Sequence, residues 1–335
     1  MAFYNIKYLI TRKSKLGLIL SSLNFSPPYP LFLLIHITLK CSKECDWCYQ
    51  RNDVFYSSYK TNMQFSAFKD LLRGFRHFKP HIHLYGGEPL LHEDFPLFLE
   101  ASASYGYKPS LTTNGDYLEK HSKVITQSSL SQLNISLNGI IGRYGNFKQN
   151  LEEKLKPFLN LNKGKKIINL NYVIESQTLE QIEELVSYLS RDYKKEYFSF
   201  LVLQHKSFSS GLKSEDLGLN LGKLKEMLHK LRNMKLKFKL LFSPDIKPED
   251  LSAYYKTGYV FKNRCFVPWL GLSVYPNLDV TPGGGIFGCN HWLGNLAQAS
   301  VADIWNGQAL KDFRYKLIKE GLSNSCNRCC HKQYY

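Results

Sequence analysis

Acidic residues are missing from the start of the chain: no Asp or Glu precedes Glu44. Across 335 residues there are 28 acidic side chains against 44 Lys and Arg, a formal charge of +16. Such a field favours anionic partners: phosphorylated small molecules, acidic peptides, anionic lipid surfaces or nucleic acid. No apolar run reaches the length of a membrane span, which excludes a spanning helix. The N-terminus has basic residues and a short apolar stretch, Leu16 to Leu20, but no full signal peptide, and the chain reads as cytoplasmic. No internal repeat or low-complexity tract is visible. No cysteine lies between Cys48 and Cys265. Disulfide frameworks are spread through small secreted domains, so clustered cysteines in a chain of this size read as metal binding in a reducing compartment.

What is present starts with length. A chain of 335 residues is too long for one small domain and suits a barrel-sized domain with an appendage. Lys7, Arg12, Lys13 and Lys15 lie among Ile6, Leu9, Ile10, Leu16, Leu18, Ile19 and Leu20. That pattern suits a helix lying in a membrane interface, a peripheral contact, and equally a helix packed over the rim of a barrel, the commoner case.

Cys41, Cys45 and Cys48 follow directly on an apolar, β-branched run and leave three and two residues between successive thiols. Taken alone, the triad suits part of a zinc knuckle or an iron–sulfur cluster one ligand short. The other cysteines, Cys265, Cys289, Cys326, Cys329 and Cys330, all fall in the last quarter.

The middle of the chain alternates strand-like and helix-like segments. Strands are expected at Leu31–Leu39, His81–Tyr85, Ser110–Thr113, Leu133–Leu137, Ile167–Ile174 and Tyr197–Leu203, with helices near Phe65–Phe78, Phe95–Tyr105, Tyr117–Gln127, Phe147–Leu161 and Leu179–Leu189. Six strands alternating with helices predict a parallel sheet with right-handed crossovers, whose active residues collect at the C-terminal strand ends. Cys41, the Gly86-Gly87-Glu88-Pro89 turn, Thr112-Thr113-Asn114-Gly115, Ser136-Leu137-Asn138-Gly139 and Gln204-His205 all fall at such ends. Residues 206–261 are Lys-rich and read as a helical or irregular bridge. Beyond them Gly271–Tyr275 and Leu278–Thr281 flank Pro276-Asn277 as a hairpin, and a helix near Asp303–Glu320 leads to the final cysteines.

With these residues in view, the chain resembles the radical S-adenosylmethionine (SAM) superfamily. The cysteine loop has the family's C-x3-C-x2-C spacing with an aromatic, Trp47, before the last cysteine, and the GGEP turn after the second strand is intact. Ser136 stands where the family contacts ribose, and Arg143 where many members keep a basic residue near the SAM carboxylate. The C-terminal quarter resembles the family's SPASM and shorter twitch extensions, which carry auxiliary iron–sulfur clusters. The resemblance implies a partial (β/α)6 TIM-like barrel with a twitch/SPASM extension of β-hairpin plus helix. It divides the chain into a lead segment (1–30), a core (31–205), a bridge (206–261) and an auxiliary-cluster domain (262–335).

The resemblance further implies a [4Fe–4S] cluster on Cys41, Cys45 and Cys48. It implies a SAM site from Tyr85, Gly86, Gly87, Glu88, Pro89, Thr113, Asn114, Ser136, Arg143 and Gln204. One auxiliary [4Fe–4S] cluster would sit on Cys265, Cys289, Cys326 and Cys329; Cys330 either replaces Cys329 or is a free thiol. The glycines of the GGEP turn are expected to bring backbone carbonyls to the SAM ammonium group, and Glu88 to orient the turn. The implied activity is reductive cleavage of SAM to a 5′-deoxyadenosyl radical, hydrogen abstraction, and oxidation of a peptide or anionic small molecule by dehydrogenation or cross-linking. A flavodoxin- or ferredoxin-type protein would donate the electron. Redox-neutral epimerisation and lipid or sugar modification are the alternatives, and a zinc protein binding nucleic acid is a distant one. Asn138 stands where many relatives carry Asp, and an amide cannot act as a base near neutral pH. His205 is then a base candidate, although His205, His83 and His291 all suit structural roles.

Overall fold

The computed structural model describes residues 28–45, 47–48, 62–142, 146–175, 179–205, 220–243, 245–255, 265, 267–283 and 291–321. The basic lead segment up to residue 27, Arg143, Cys289, Cys326, Cys329 and Cys330 lie outside them.

One open, mostly parallel sheet organises the fold. Its strands are β1 (Phe32–Thr38), β2 (His81–Gly86), β3 (Ser110–Thr113), β4 (Gln132–Ser136), β5 (Ile167–Val173), β6 (Phe200–Gln204), β7 (Lys239–Ser243), β8 (Gly271–Val274), β9 (Asp279–Pro282) and β10 (Gly294–Asn295), in the order β10-β9-β8-β1-β2-β3-β4-β5-β6-β7. Pairing is parallel from β8 through β7, and the β8–β9 and β9–β10 pairs are antiparallel. Phe-Leu-Leu-Ile-His-Ile-Thr of β1 is buried throughout, as expected of a strand flanked on both sides.

The first helices are α1 (Phe65–Gly74), α2 (Phe95–Ser104), α3 (Leu118–Gln127), the short α4 (Leu137–Ile141) and α5 (Phe147–Asn150). A π turn (Leu151–Leu155) leads from α5 into α6 (Lys156–Asn162), and α7 (Ile182–Asp192) follows β5. Beyond β6 come α8 (Leu221–Asn233), α9 (Leu251–Tyr254), α10 (Val301–Asn306) and α11 (Gln308–Lys319). Buried Leu224, Met227, Leu228 and Leu231 on α8 recur at helical spacing and form the stripe that packs it down.

Alternation along the strands sorts the two faces of the sheet. Leu33, Ile35 and Ile37 of β1, Ile82 and Leu84 of β2, Leu133 and Ile135 of β4 and Ile168 and Leu170 of β5 join Phe68, Phe98, Ile125 and Leu185 in one apolar core. The opposite face is polar: His36, His81, His83, Ser110, Thr112, Gln132, Asn134 and Asn169 occupy the alternate positions. A hydrogen-bonded band crosses it. His83 contacts Ser110 and Thr112 at 2.6 and 2.9 Å, and Asn134 accepts from Gln132 and Asn169 at 2.8 and 3.0 Å.

Two features depart from the sequence reading. The stretch expected to be helical or irregular contains a seventh parallel strand, β7, paired residue by residue with β6. The helix expected over Asp303–Glu320 is two, α10 and α11, meeting at Gly307. There a Cβ would stand 2.7 Å from the Asp303 carbonyl oxygen. A capping box of Ser300 and Asp303 starts α10. Arg314 then fastens α11 to the hairpin side of the sheet: its guanidinium donates twice to the Pro268 carbonyl, at 3.1 and 3.0 Å, and lies 4.5 Å over the Trp305 ring.

Candidate active site at the C-terminal strand ends

The loop carrying the thiols is built onto the ends of β1 and β3. After β1, Cys41 and Cys45 lie in irregular chain, and the Cys48 N–H donates to the Cys45 carbonyl at 3.0 Å. The Cys41 sulfur accepts from the Lys43 N–H at 3.4 Å and from the Asn114 side-chain amide at 3.8 Å. Ser42 donates to Asp116 at 2.7 Å and Lys43 pairs with the same carboxylate at 2.9 Å. Burial pushes the Cys41 thiol up from its ordinary range, against the two N–H donors that pull it down.

The GGEP turn locks this arrangement from below. Gly87 N–H donates to the Thr38 carbonyl and Glu88 N–H to the Lys40 carbonyl, both at 2.8 Å. A Cβ on Gly86 would lie 2.0 Å from Thr38 O, and one on Gly87 2.2 Å from Lys40 O. These glycines are therefore required for close approach to the chain's own backbone at the root of the cysteine loop.

Glu88 is fully buried and holds three strand ends together. Its Oε1 accepts from Leu90 N–H at 3.0 Å and from the Thr113 hydroxyl at 2.7 Å; its Oε2 accepts from Asn114 N–H at 2.6 Å. Burial pushes the carboxyl up to about 7 against those three donors. Pro89 opens the 3-10 turn Pro89–Leu91 that Glu88 caps.

Around this clamp stand the other residues singled out from the sequence. Tyr85, half-buried on β2, meets His36 edge-on at 5.3 Å and tilts over His83 at 5.8 Å. Ser136 is the half-buried N-cap of α4, and Gln204 ends β6 with its carbonyl accepting from Ile174 N–H. His205 sits apart from the polar face. Its Nδ1 is 2.9 Å from the Tyr255 hydroxyl, its ring packs against Tyr254, and burial pushes its pKa down to about 4. His291 stacks on Phe313 at 5.0 Å.

Asn138 is committed to the end of β5. Its Oδ1 accepts from Val173 N–H at 2.7 Å, while its Nδ2 donates to Val173 O at 2.9 Å and to Glu175 Oε1 at 3.0 Å. Glu175, 2% exposed, was not singled out from the sequence. The available signal was an acidic residue directly after the apolar run Ile167–Ile174. Asp116 was also missed, concealed in an Asn-Gly-Asp sequence that reads as a turn. Asn138→Ala should cost about 1–3 kcal/mol, because it removes the two bonds to the buried Val173 backbone and the one to Glu175. Thermal unfolding would read this as a drop of several degrees, and an unchanged midpoint would contradict the stitching role.

A sequence profile of the radical SAM superfamily matches residues 35–189, and one for the SPASM iron–sulfur cluster-binding domain matches residues 265–330. The chain carries a radical SAM domain followed by a SPASM domain. SAM and iron–sulfur clusters are the cofactors of these two domains. The fold agrees. SuiB of Streptococcus suis superposes with a TM-score of 0.62 at 17% identity, covering 98% of this chain and 77% of that one. The AdoMet-bound anSMEcpe does so with a TM-score of 0.62 at 16% identity, covering 90% and 85%. In sequence, a GTP 3′,8-cyclase of Helicobacter pylori (strain HPAG1) is 25% identical over 202 residues, 56% of this chain and 61% of that protein. The chain thus spans less than two thirds of that relative. A PqqA peptide cyclase of Rhizobium meliloti is 22% identical over 313 residues, covering 89% of this chain and 80% of that protein.

The residues at the radical SAM site suit a cluster by their chemistry. Cys41, Cys45 and Cys48 are half-buried cysteines on one loop, none of them in a disulfide, and are soft donors of the kind iron–sulfur clusters take. Among the described residues, no three Cys, His, Asp or Glu side chains converge closely enough to hold an ion.

Proposed function

We propose that this enzyme oxidatively modifies a peptide. In this reading Cys41, Cys45 and Cys48 hold the SAM-binding cluster. Cys265, Cys289, Cys326 and Cys329 hold one auxiliary cluster, with Cys330 beside it. The observation that carries the proposal is the pairing of β8 with β1, from Phe32 opposite Gly271 to Ile35 opposite Val274. It makes β8 of the SPASM region part of the sheet that delivers Cys41, with Cys265 a few residues ahead of that strand. When bound, the reduced cluster and SAM supply a 5′-deoxyadenosyl radical that takes a hydrogen atom from an unactivated carbon.

The chain's own residues bind, orient and exclude water. Tyr85, the Gly86–Pro89 turn, Thr113, Asn114, Ser136, Arg143 and Gln204 cradle SAM, with Glu88 fixing the turn. Beneath them the polar face offers uncharged donors and acceptors. Burial lowers the His36 pKa to about 3 and that of His81 to about 4, so both rings are neutral at pH 7. A neutral hydrogen-bonding floor complements amides and hydroxyls better than phosphates. Two similar proteins support a peptide: the PqqA peptide cyclase, matched along most of this chain, and SuiB, solved bound to precursor peptide SuiA. A nucleotide substrate is the second reading, favoured by the GTP 3′,8-cyclases and by the charge of +16.

Anaerobic reconstitution tests the cofactor set. The protein should be brown, with about eight irons and eight sulfides per chain; stoichiometric zinc without visible absorption would contradict it. Incubation with a peptide encoded beside the gene should give a product lacking two hydrogens. Consumption of a nucleoside triphosphate with the peptide unchanged would favour the second reading.

A further inference from the structure

We infer that Asn114 is a positioning residue that raises the reduction potential of the centre on Cys41, through an N–H···S hydrogen bond. The inference rests on the proposed function, in which Cys41 is a cluster ligand. It gives Asn114 a task other than contact with SAM.

The geometry fixes Asn114 on four sides. Its backbone N–H donates to Glu88 Oε2 at 2.6 Å, and its Oδ1 accepts from Asp116 N–H at 2.9 Å. Its carbonyl oxygen lies where a Cβ on Gly139 would stand 2.1 Å away, so α4 presses on it from above. With the oxygen of the amide committed to Asp116, Nδ2 must face the cysteine loop. There it donates to Ser42 Oγ at 3.1 Å and to Cys41 Sγ at 3.8 Å.

The chemistry follows from charge. Reduction adds one electron, supplied by a flavodoxin- or ferredoxin-type donor, and no atom is transferred. The added negative charge spreads onto the thiolate sulfurs, so an N–H aimed at one of them stabilises the reduced form more than the oxidised form. Glu88 holds Asn114 in place, so the GGEP turn and the sulfur are coupled through a single residue.

The test is an anaerobic potentiometric titration, followed by electron paramagnetic resonance, of reconstituted wild type, Asn114→Asp, Asn114→Ala and Ser42→Ala. Asn114→Asp keeps the acceptor for Asp116 N–H and loses the donor. At a fixed potential it should hold about three- to tenfold less reduced cluster. At about 59 mV per decade for one electron, that is a midpoint lower by about 30 to 60 mV. Asn114→Ala should shift the same way, and Ser42→Ala should leave the midpoint unchanged or higher because Nδ2 is then free for the sulfur. A merely structural Asn114 would reduce iron content without moving the midpoint of the cluster that remains. An unmoved midpoint in Asn114→Asp with wild-type iron content overturns the inference. A wild type with no reducible cluster at all overturns the proposed function beneath it.

Discussion

Cys41→Ala is expected to abolish reductive SAM cleavage, with 5′-deoxyadenosine falling to background, whereas Cys265→Ala should retain part of that cleavage and stop product formation. A four-iron cluster with three protein ligands has none to spare, and Cys41 is the thiol anchored to both β1 and β3. Cys265 lies in the segment that leads into β8 and would serve the auxiliary centre, downstream of hydrogen abstraction. Chromatographic assay of 5′-deoxyadenosine alongside product mass separates the two steps. Equal loss of cleavage in both variants would contradict the division of labour.

The second large effect is expected at the GGEP turn. Gly87→Ala puts a methyl group 2.2 Å from one backbone oxygen, Lys40 O, and 2.8 Å from another, Leu39 O, so the root of the cysteine loop must move. The expected result is a loss of bound iron together with about 3 kcal/mol or more of stability. Glu88→Gln should cost about 2–4 kcal/mol, because one of its three donors then faces an NH2 group in a buried setting. It should also change the pH dependence. A carboxyl held at about 7 in the fold, above its ordinary 4.5, binds a proton on folding. Its contribution is therefore most favourable at low pH and is lost as pH rises from about 4.5 to 7, at up to about 1.4 kcal/mol per pH unit. Unfolding curves between pH 5 and 8 should show wild type losing stability relative to Glu88→Gln as pH rises to 7. Parallel pH profiles would contradict this.

Strands β1 to β6 were legible because each is a short stretch of apolar or β-branched residues, continuous or alternating with polar ones. Ser110–Thr113 was placed to the residue and the others to within three residues. β7 was not read, although Lys235, Lys237 and Lys239 alternate with Leu236, Phe238 and Leu240, the period-2 signature of a half-buried strand. The lysine density drew attention to charge, while Leu236, Phe238 and Leu240 pack on the core. The start of α10 was legible in principle from Ser300-x-x-Asp303, a helix-start signature, and its end from Gly307, a helix breaker.

The site was legible as motifs but not as contacts. The sequence put Gly86, Glu88, Asn114 and Asn138 at strand ends. It could not show that the glycines meet Thr38 and Lys40, that Glu88 joins three segments, or that Asn138 is spent on Val173 and Glu175. Those partners lie far apart in the chain, Asn114 with Cys41 across 73 positions, and only the sheet order brings them together.

In the proposed function this sheet end builds a SAM-cleaving centre. The most direct measurement is 5′-deoxyadenosine formed by anaerobically reconstituted wild-type protein with SAM, with and without a low-potential reductant. Reductant-dependent formation, absent in Cys41→Ala, is the predicted result. A protein loaded with iron and sulfide that forms none under reduction would contradict it.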